Sequence, residues 1–115
     1  MPFVSLQSNA TLADSARSDL ALALAQLVSQ ELGKPLDYIQ VHLQLGAFLT
    51  FAGTEEKTAF IDLRSLGLPP DKPAVLSASL CRLLQEHLDI APQRVFLNFQ
   101  DMPRTHWGWD GRTFG

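Results

Sequence analysis

The chain contains one cysteine, Cys81. That count excludes an internal disulfide, a Cys-x-x-Cys redox pair and a Cys-rich metal site. Basic residues are also scarce: 9 Lys and Arg stand against 12 Asp and Glu, for a net charge of −3. Without clustered Lys and Arg there is no electrostatic footprint for nucleic acid. No apolar run approaches the ~20 residues of a membrane-spanning helix, so no membrane partner is expected. The first residues lack the basic start and apolar core of a secretory leader. Cytoplasmic residence is therefore expected, with export by a leaderless route left open. His42, His87 and His106 show no metal-ligand spacing and read as structural or surface groups. No nucleotide or cofactor motif is present, so neither a metal nor a cofactor is expected.

What is present is a balanced globular composition. Of the 115 residues, 46% are hydrophobic and 18% charged, which fits one small folded domain spanning residues 1–115. A chain this short buries a limited core, so self-association would help it.

The hydrophobic pattern repeats. Phe3-Val4-Ser5-Leu6 reads as a short buried strand. Asn9 to Asp14 is a polar turn in which Thr11 and Asp14 are both candidate helix N-caps. A helix follows to about Leu32, with Leu20, Leu24, Leu27 and Leu32 near helical spacing. Gly33 ends it and Pro35 prevents continuation. Tyr38 to Leu45 alternates as a strand, with Ile39, Val41, Leu43 and Leu45 on a core face and Gln40, His42 and Gln44 on a polar face. Phe48 to Phe51 reads as a further short strand and Ala52 to Lys57 as a loop.

The second copy begins with a strand from Thr58 to Ser65. Gly67 to Pro70 is a turn, and Asp71 is placed to cap a helix with Pro73 in its first turn. Leu76, Leu80, Leu83, Leu84 and Leu88 make the apolar stripe. Pro92 follows that helix, and Val95 to Phe99 is a closing strand. The order is thus β-α-β twice, about 56 residues apart, with repeat one near 2–46 and repeat two near 58–100. The expected fold class is α+β: a four-stranded mixed sheet with two helices on one face. The tail, 101–115, carries Trp107 and Trp109, which are costly to leave in water and should dock on something.

Pro2 is the candidate reactive group. Methionine is commonly trimmed before a small residue, which would leave Pro2 with a free secondary amine. In an apolar pocket beside another cation, that ammonium is disfavoured by desolvation and by like charge. The neutral amine is then a base or a nucleophile. By itself a Met-Pro start is a weak signal.

The doubled pattern, Pro2 and the tail together resemble the tautomerase superfamily, and within it the macrophage migration inhibitory factor family, with D-dopachrome tautomerase as a relative. The resemblance spans the whole chain. It rests on Met1-Pro2-Phe3, Gly33-Lys34-Pro35, Tyr38-Ile39-Gln40-Val41-His42, Ser65-Leu66-Gly67, Pro92 to Phe99, Asp101-Met102, Gly108-Trp109 and Thr113-Phe114. It implies a homotrimer with sites between subunits. It also implies a cofactor-free keto–enol tautomerase acting on phenylpyruvate-like, small aromatic α-keto acids.

In that reading Pro2 is the base and Lys34 the cation for the carboxylate or keto oxygen. Ser65 and Leu66 contribute backbone beside them, while Phe96 and Asn98 come from the next subunit. Phe3, Tyr38, Trp107, Trp109 and Phe114, with Phe96, are candidates for an aromatic wall. Plainer roles stand beside these. Lys34 could neutralise a helix C-terminus, Asn98 could bond across a subunit contact, and Tyr38 and Phe114 could be packing.

Two departures stand out. Animal members of the family carry a tyrosine where this chain has Phe96, so its hydroxyl is missing. They also carry a Cys-x-x-Cys where this chain reads Thr58-Ala59-Phe60-Ile61, which rules out thiol–disulfide chemistry there. The alternative function is a cytokine-like protein-binding module with incidental tautomerase activity. A different reaction from an N-terminal proline ranks third, because the arginines are scattered.

Overall fold

The structure, a computed structural model, describes residues 1–115. Four strands and two helices alternate: β1 (Pro2–Ser8), α1 (Asp14–Leu32), β2 (Gln40–Gln44), β3 (Ala59–Leu66), α2 (Lys72–Leu88) and β4 (Val95–Met102). The tail closes with a hairpin of β5 (Gly108–Trp109) and β6 (Arg112–Thr113). Strand order in the main sheet is β2-β1-β3-β4. The outer pairs, β1 with β2 and β3 with β4, are parallel, and the central pair is antiparallel. The mixed sheet and the paired helices expected from the repeat are therefore both present.

Alternation along the strands sorts the two faces. Val4 and Leu6 of β1 and Ile61 and Leu63 of β3 are fully buried, as are Leu20, Leu24 and Val28 of α1 and Leu76, Leu80 and Leu84 of α2. These residues form one continuous core between the sheet and the helices. The other sheet face carries Ser5, Gln7, Gln40, His42, Gln44, Asp62, Arg64 and Asn98 and has no layer over it. Side chains there bond across the β1–β2 pair, with Ser5 Oγ and His42 Nδ1 3.1 Å apart.

The repeat extends to the helix ends. Gly33 and Asp89, 56 positions apart (89 minus 33), both adopt the left-handed conformation at the C-terminus of their helix. Single 3₁₀ turns then follow at Leu36–Tyr38 and Pro92–Arg94 before each parallel strand. Glycine takes that conformation without a Cβ penalty, and aspartate is one of the few side chains that tolerate it.

Three local expectations are corrected. The residue before α1 is Ala13, and no side chain caps it. Asp14 is instead the first helical residue, where its charge favours the positive end of the helix. Asp71 stands before α2 but makes no cap bond, because its backbone (φ −83°, ψ −14°) is already helical rather than extended. Residues 48 to 51 do not form a strand. Only Phe51 bridges, to Thr54, because no strand of this chain runs beside the segment and side chains claim its carbonyls.

Those side chains are Asn9 and Arg94. Asn9 Nδ2 donates to the carbonyls of Leu49, Glu55 and Glu56 at 3.2, 3.0 and 3.2 Å, and its Oδ1 accepts the Thr58 N–H at 2.9 Å. Arg94 donates to the carbonyls of Lys57, Phe51 and Glu56 and lies 5.1 Å from the Phe51 ring centre. Two side chains thus hold a loop that has no sheet ladder of its own. Asn9→Ala strands several carbonyls and one N–H. It should cost about 1–3 kcal/mol and make the 46–57 segment the first point of cleavage in limited proteolysis. An unchanged cleavage pattern would show that Arg94 alone secures the loop.

Candidate functional site

Pro2 opens β1, a position where a missing N–H costs the sheet little. It is buried, and its register partner on β3 is Ser65. A cavity of about 270 Å³ opens at this point, bounded by Met1, Pro2, Tyr38, Gln40, Trp107 and Trp109, with Asp37 also on its wall. The turn after α1 supplies Tyr38, and the tail supplies the tryptophans. The two are locked together: the Tyr38 and Trp109 rings meet edge to face at 5.8 Å, and Phe114 stacks on Trp109 at 6.2 Å. The Phe114 N–H donates to the Trp107 carbonyl at 3.2 Å, which closes the hairpin. The tail therefore folds back onto the start of β1 and walls the cavity with aromatic rings.

Charge reaches the same place from α1. The left-handed turn at Gly33 ends the helix and sends Lys34 toward the N-terminus. Ser29 fixes that turn, accepting the Lys34 N–H at its carbonyl (3.2 Å) and donating its hydroxyl to the Lys34 carbonyl (2.6 Å). The α-ammonium of the chain is held below its ordinary value of 8.0, first by burial and then by the positive charge of Lys34. Lys34 has no carboxylate partner, since the two ion pairs present are Lys72–Glu31 and Arg94–Glu56. Its field is thus free to act on whatever occupies the cavity.

The other expected site residues divide into two groups. Ser65 is fully buried beside Pro2, and Leu66 follows it into the Ser65-Leu66-Gly67 turn. The Ser65 hydroxyl lies 3.5 Å from the carbonyls of Leu66 and Gly67. Asp101, opposite Ser65 on β4, braces the turn by accepting the Leu68 N–H at 3.1 Å.

Phe96 and Asn98 lie elsewhere in this chain. Asn98 pairs with Asp62 and accepts a bond from Gln100 at 3.3 Å, while Phe96 packs on Phe51 at 4.9 Å. Asn98 is three positions down β4 and two strands across from Pro2, a separation of about 14 Å at ordinary strand spacings. Within one chain Pro2, Tyr38 and Trp109 line the cavity; Lys34 acts on its amine by charge, Ser65 lies beside Pro2 and Phe114 stacks on Trp109, while Phe96 and Asn98 lie apart.

Two lining residues give no sign of this role in the sequence. Gln40 reads as one more polar-face residue, and Asp37 carries no pattern at all. The register of β1 against β2, which sets Gln40 opposite Phe3, and the turn before β2 bring them to the rim. Cys81, half-buried on α2, has its thiol pushed up by burial and is a packing group rather than a thiolate.

Over residues 1–115 the chain matches the family model for macrophage migration inhibitory factor. The chain belongs to the macrophage migration inhibitory factor family. Its relatives include the rat macrophage migration inhibitory factor, 39% identical over 92 residues, which covers 79% of this chain and 80% of the rat protein. A macrophage migration inhibitory factor homologue of Trichuris trichiura is 33% identical across 99% of this chain and 100% of its own. Among solved structures, the Prochlorococcus marinus homologue superposes with a TM-score of 0.91 at 32% identity, covering 98% of this chain and 99% of that one. The Trichinella spiralis protein gives 0.89 at 31% identity, over 97% and 99% of the respective chains. The double β-α-β sheet is thus the fold of this family, which is related to the tautomerases.

Proposed function

We propose that the chain is a keto–enol tautomerase acting on small aromatic α-keto acids such as phenylpyruvate. The observation that carries this reading is a buried proline at the floor of an aromatic-walled cavity, next to the unpaired charge of Lys34. With Met1 removed, the amine at Pro2 sits one residue deeper than the α-amine of Met1. Burial and Lys34 act on it in the same sense. A neutral secondary amine is then available as a base near neutral pH.

The reaction balances without an oxidant or a carrier. Pro2 nitrogen takes a proton from the carbon next to the keto group, and the C–H electron pair becomes the C=C bond. The carbonyl oxygen gains a proton from water, giving the enol, and the Pro2 ammonium returns its proton to water. The reverse direction returns the proton from Pro2 to carbon. Lys34 balances the substrate carboxylate and the charge that develops on oxygen, and the rings of Tyr38 and Trp109, the latter backed by Phe114, receive the aryl group.

The site is completed in a homotrimer, where Phe96 and Asn98 of one subunit meet the Pro2 cavity of the next. Three features support assembly: the uncovered polar face, the edge strands β2 and β4, and exposed apolar side chains, with Phe48 84% and Phe96 59% accessible. Phe96 gives this second wall an apolar surface with no hydroxyl to donate.

The test is phenylpyruvate tautomerisation, followed as loss of enol absorbance, on protein whose mass in solution is measured alongside. Three chain masses and catalysis above the buffer rate are expected. A single-chain mass would remove the shared site. A trimer with no activity would leave a protein-binding module on the same scaffold as the better reading.

A further inference from the structure

The wall of the Pro2 cavity carries a charge that proton transfer at Pro2 does not use. Asp37 stands on that wall next to Tyr38, in the single 3₁₀ turn Leu36–Tyr38. It is exposed, and neither ion pair in the structure includes it. Even Lys34, three residues earlier, is not its partner. The rings beside it are open as well. Tyr38 keeps 41% and Trp109 49% of its surface accessible, and their planes meet at 84°. Two rings set nearly at right angles make a corner, and Phe114, stacked on Trp109, holds that corner in place.

The two ends of the cavity therefore differ in sign. At the Pro2 end, burial and the positive charge of Lys34 both act against the ammonium form of the α-amine. No carboxylate is among the causes acting there, so the charge of Asp37 is not spent on that amine. At the rim, a free carboxylate stands beside open aromatic rings. An aromatic face attracts a cation through its quadrupole. A carboxylate adds Coulomb attraction and accepts charge-assisted hydrogen bonds. Together they suit an ammonium or a guanidinium. A plain aryl group would meet the rings and leave the carboxylate to water. A second carboxylate on the ligand would meet like charge, which discriminates against it.

We propose that Asp37, Tyr38 and Trp109 form an outer subsite for a positively charged group, so that the cavity favours an aryl acid with an ammonium or guanidinium on the far side of its ring. The acid end lies toward Pro2 and Lys34, the ring lies along Tyr38 and Trp109, and the para substituent reaches the rim. This orientation rests on the α-keto acid reading given above; the attraction of the rim for a cation does not. Asp37 is a specificity residue in this arrangement and takes no part in proton transfer. Because it is exposed, water and salt screen it, and its effect is a few-fold one.

The experiment uses the full chain in its solution assembly, isotopically labelled, and three unreactive hydrocinnamates with para-aminomethyl, para-ethyl and para-carboxy groups. Aminomethyl and ethyl match in size and differ in charge. Dissociation constants are read from the Trp109 indole N–H. The aminomethyl acid should bind about three- to tenfold more tightly than the ethyl acid, and the carboxy acid more weakly than either. In Asp37→Asn the advantage of the cation should shrink to about twofold or less, the part that the rings supply. Lys34→Ala should instead weaken all three acids and keep their order. Equal binding of the three acids by the parent protein, or an advantage undiminished in Asp37→Asn, overturns the proposal. If none of the acids binds, the α-keto acid reading fails by itself, and benzyltrimethylammonium, which has no acid group, decides the subsite. It should still shift Trp109, and bind Asp37→Asn about threefold more weakly or worse. No shift, or no loss in that variant, overturns the subsite too.

Discussion

Protein that retains Met1 should lose phenylpyruvate tautomerisation by about 10²–10⁴-fold relative to protein that begins at Pro2, the range a positioned general base contributes. Retention converts the Pro2 amine to an amide, which has no basic lone pair. Fold and assembly should be unaffected, because Pro2 donates nothing to the sheet and Met1 already fits at the rim of the cavity. Both forms can be separated by mass and assayed side by side.

The pH profile adds a sign. A cation whose pKa is lowered becomes neutral at lower pH, so the acid limb of kcat/KM for the free-proline form should lie below that of an exposed N-terminal proline amine. Lys34→Ala removes the second cause of that lowering, although not the first, which is burial. Its acid limb should therefore move to higher pH, and kcat/KM should fall through the lost carboxylate contact. An acid limb that stays in place in Lys34→Ala would show that the lysine only binds substrate. Equal activity with and without Met1 would take the base away from Pro2.

Leu6→Ala should be strongly destabilising, at about 2–5 kcal/mol. Leu6 is fully buried on β1, and β1 is paired on both sides, to β2 and to β3. Its loss leaves a void between the sheet and the helices that cannot close without disturbing both pairings. Against a total stability on the order of 5–15 kcal/mol for a domain, that is a large share. A fall in melting temperature of roughly 10 °C or more is expected. Leu22→Ala is the control. Leu22 is on α1 with 53% of its surface accessible, and its substitution should stay within about 0.5 kcal/mol. Calorimetry or urea unfolding of the two variants at one protein concentration separates them, and comparable losses would mean that Leu22 is buried in an assembly.

The order of strands and helices was readable because each element carries its period openly. Val4, Leu6, Ile61 and Leu63 recur at every second position between less buried neighbours, and the leucines of α2 return every three to four residues. Repetition strengthened that reading, since two copies of one pattern must bury equivalent faces. The helix starts were less legible. Capping depends on backbone angles that composition does not reveal, so Ala13 stands where Thr11 or Asp14 was expected. The segment from 48 to 51 has the composition of a strand, but a strand needs a neighbour, and this chain provides none for it.

The sequence by itself determined the fold class, the pairing of the repeats and the candidacy of Pro2, because local periodicity, glycine and proline punctuation and residue chemistry are properties of short stretches; Lys34 became a candidate only through the family resemblance. Only the tertiary structure decided what surrounds Pro2. The cavity exists because the tail returns past β1 and places Trp107 and Trp109 against a turn some seventy residues earlier in the chain. Such juxtapositions depend on the register of β1 against β2 and β3 and on the path of an irregular segment. Neither leaves a periodic trace in the order of the amino acids.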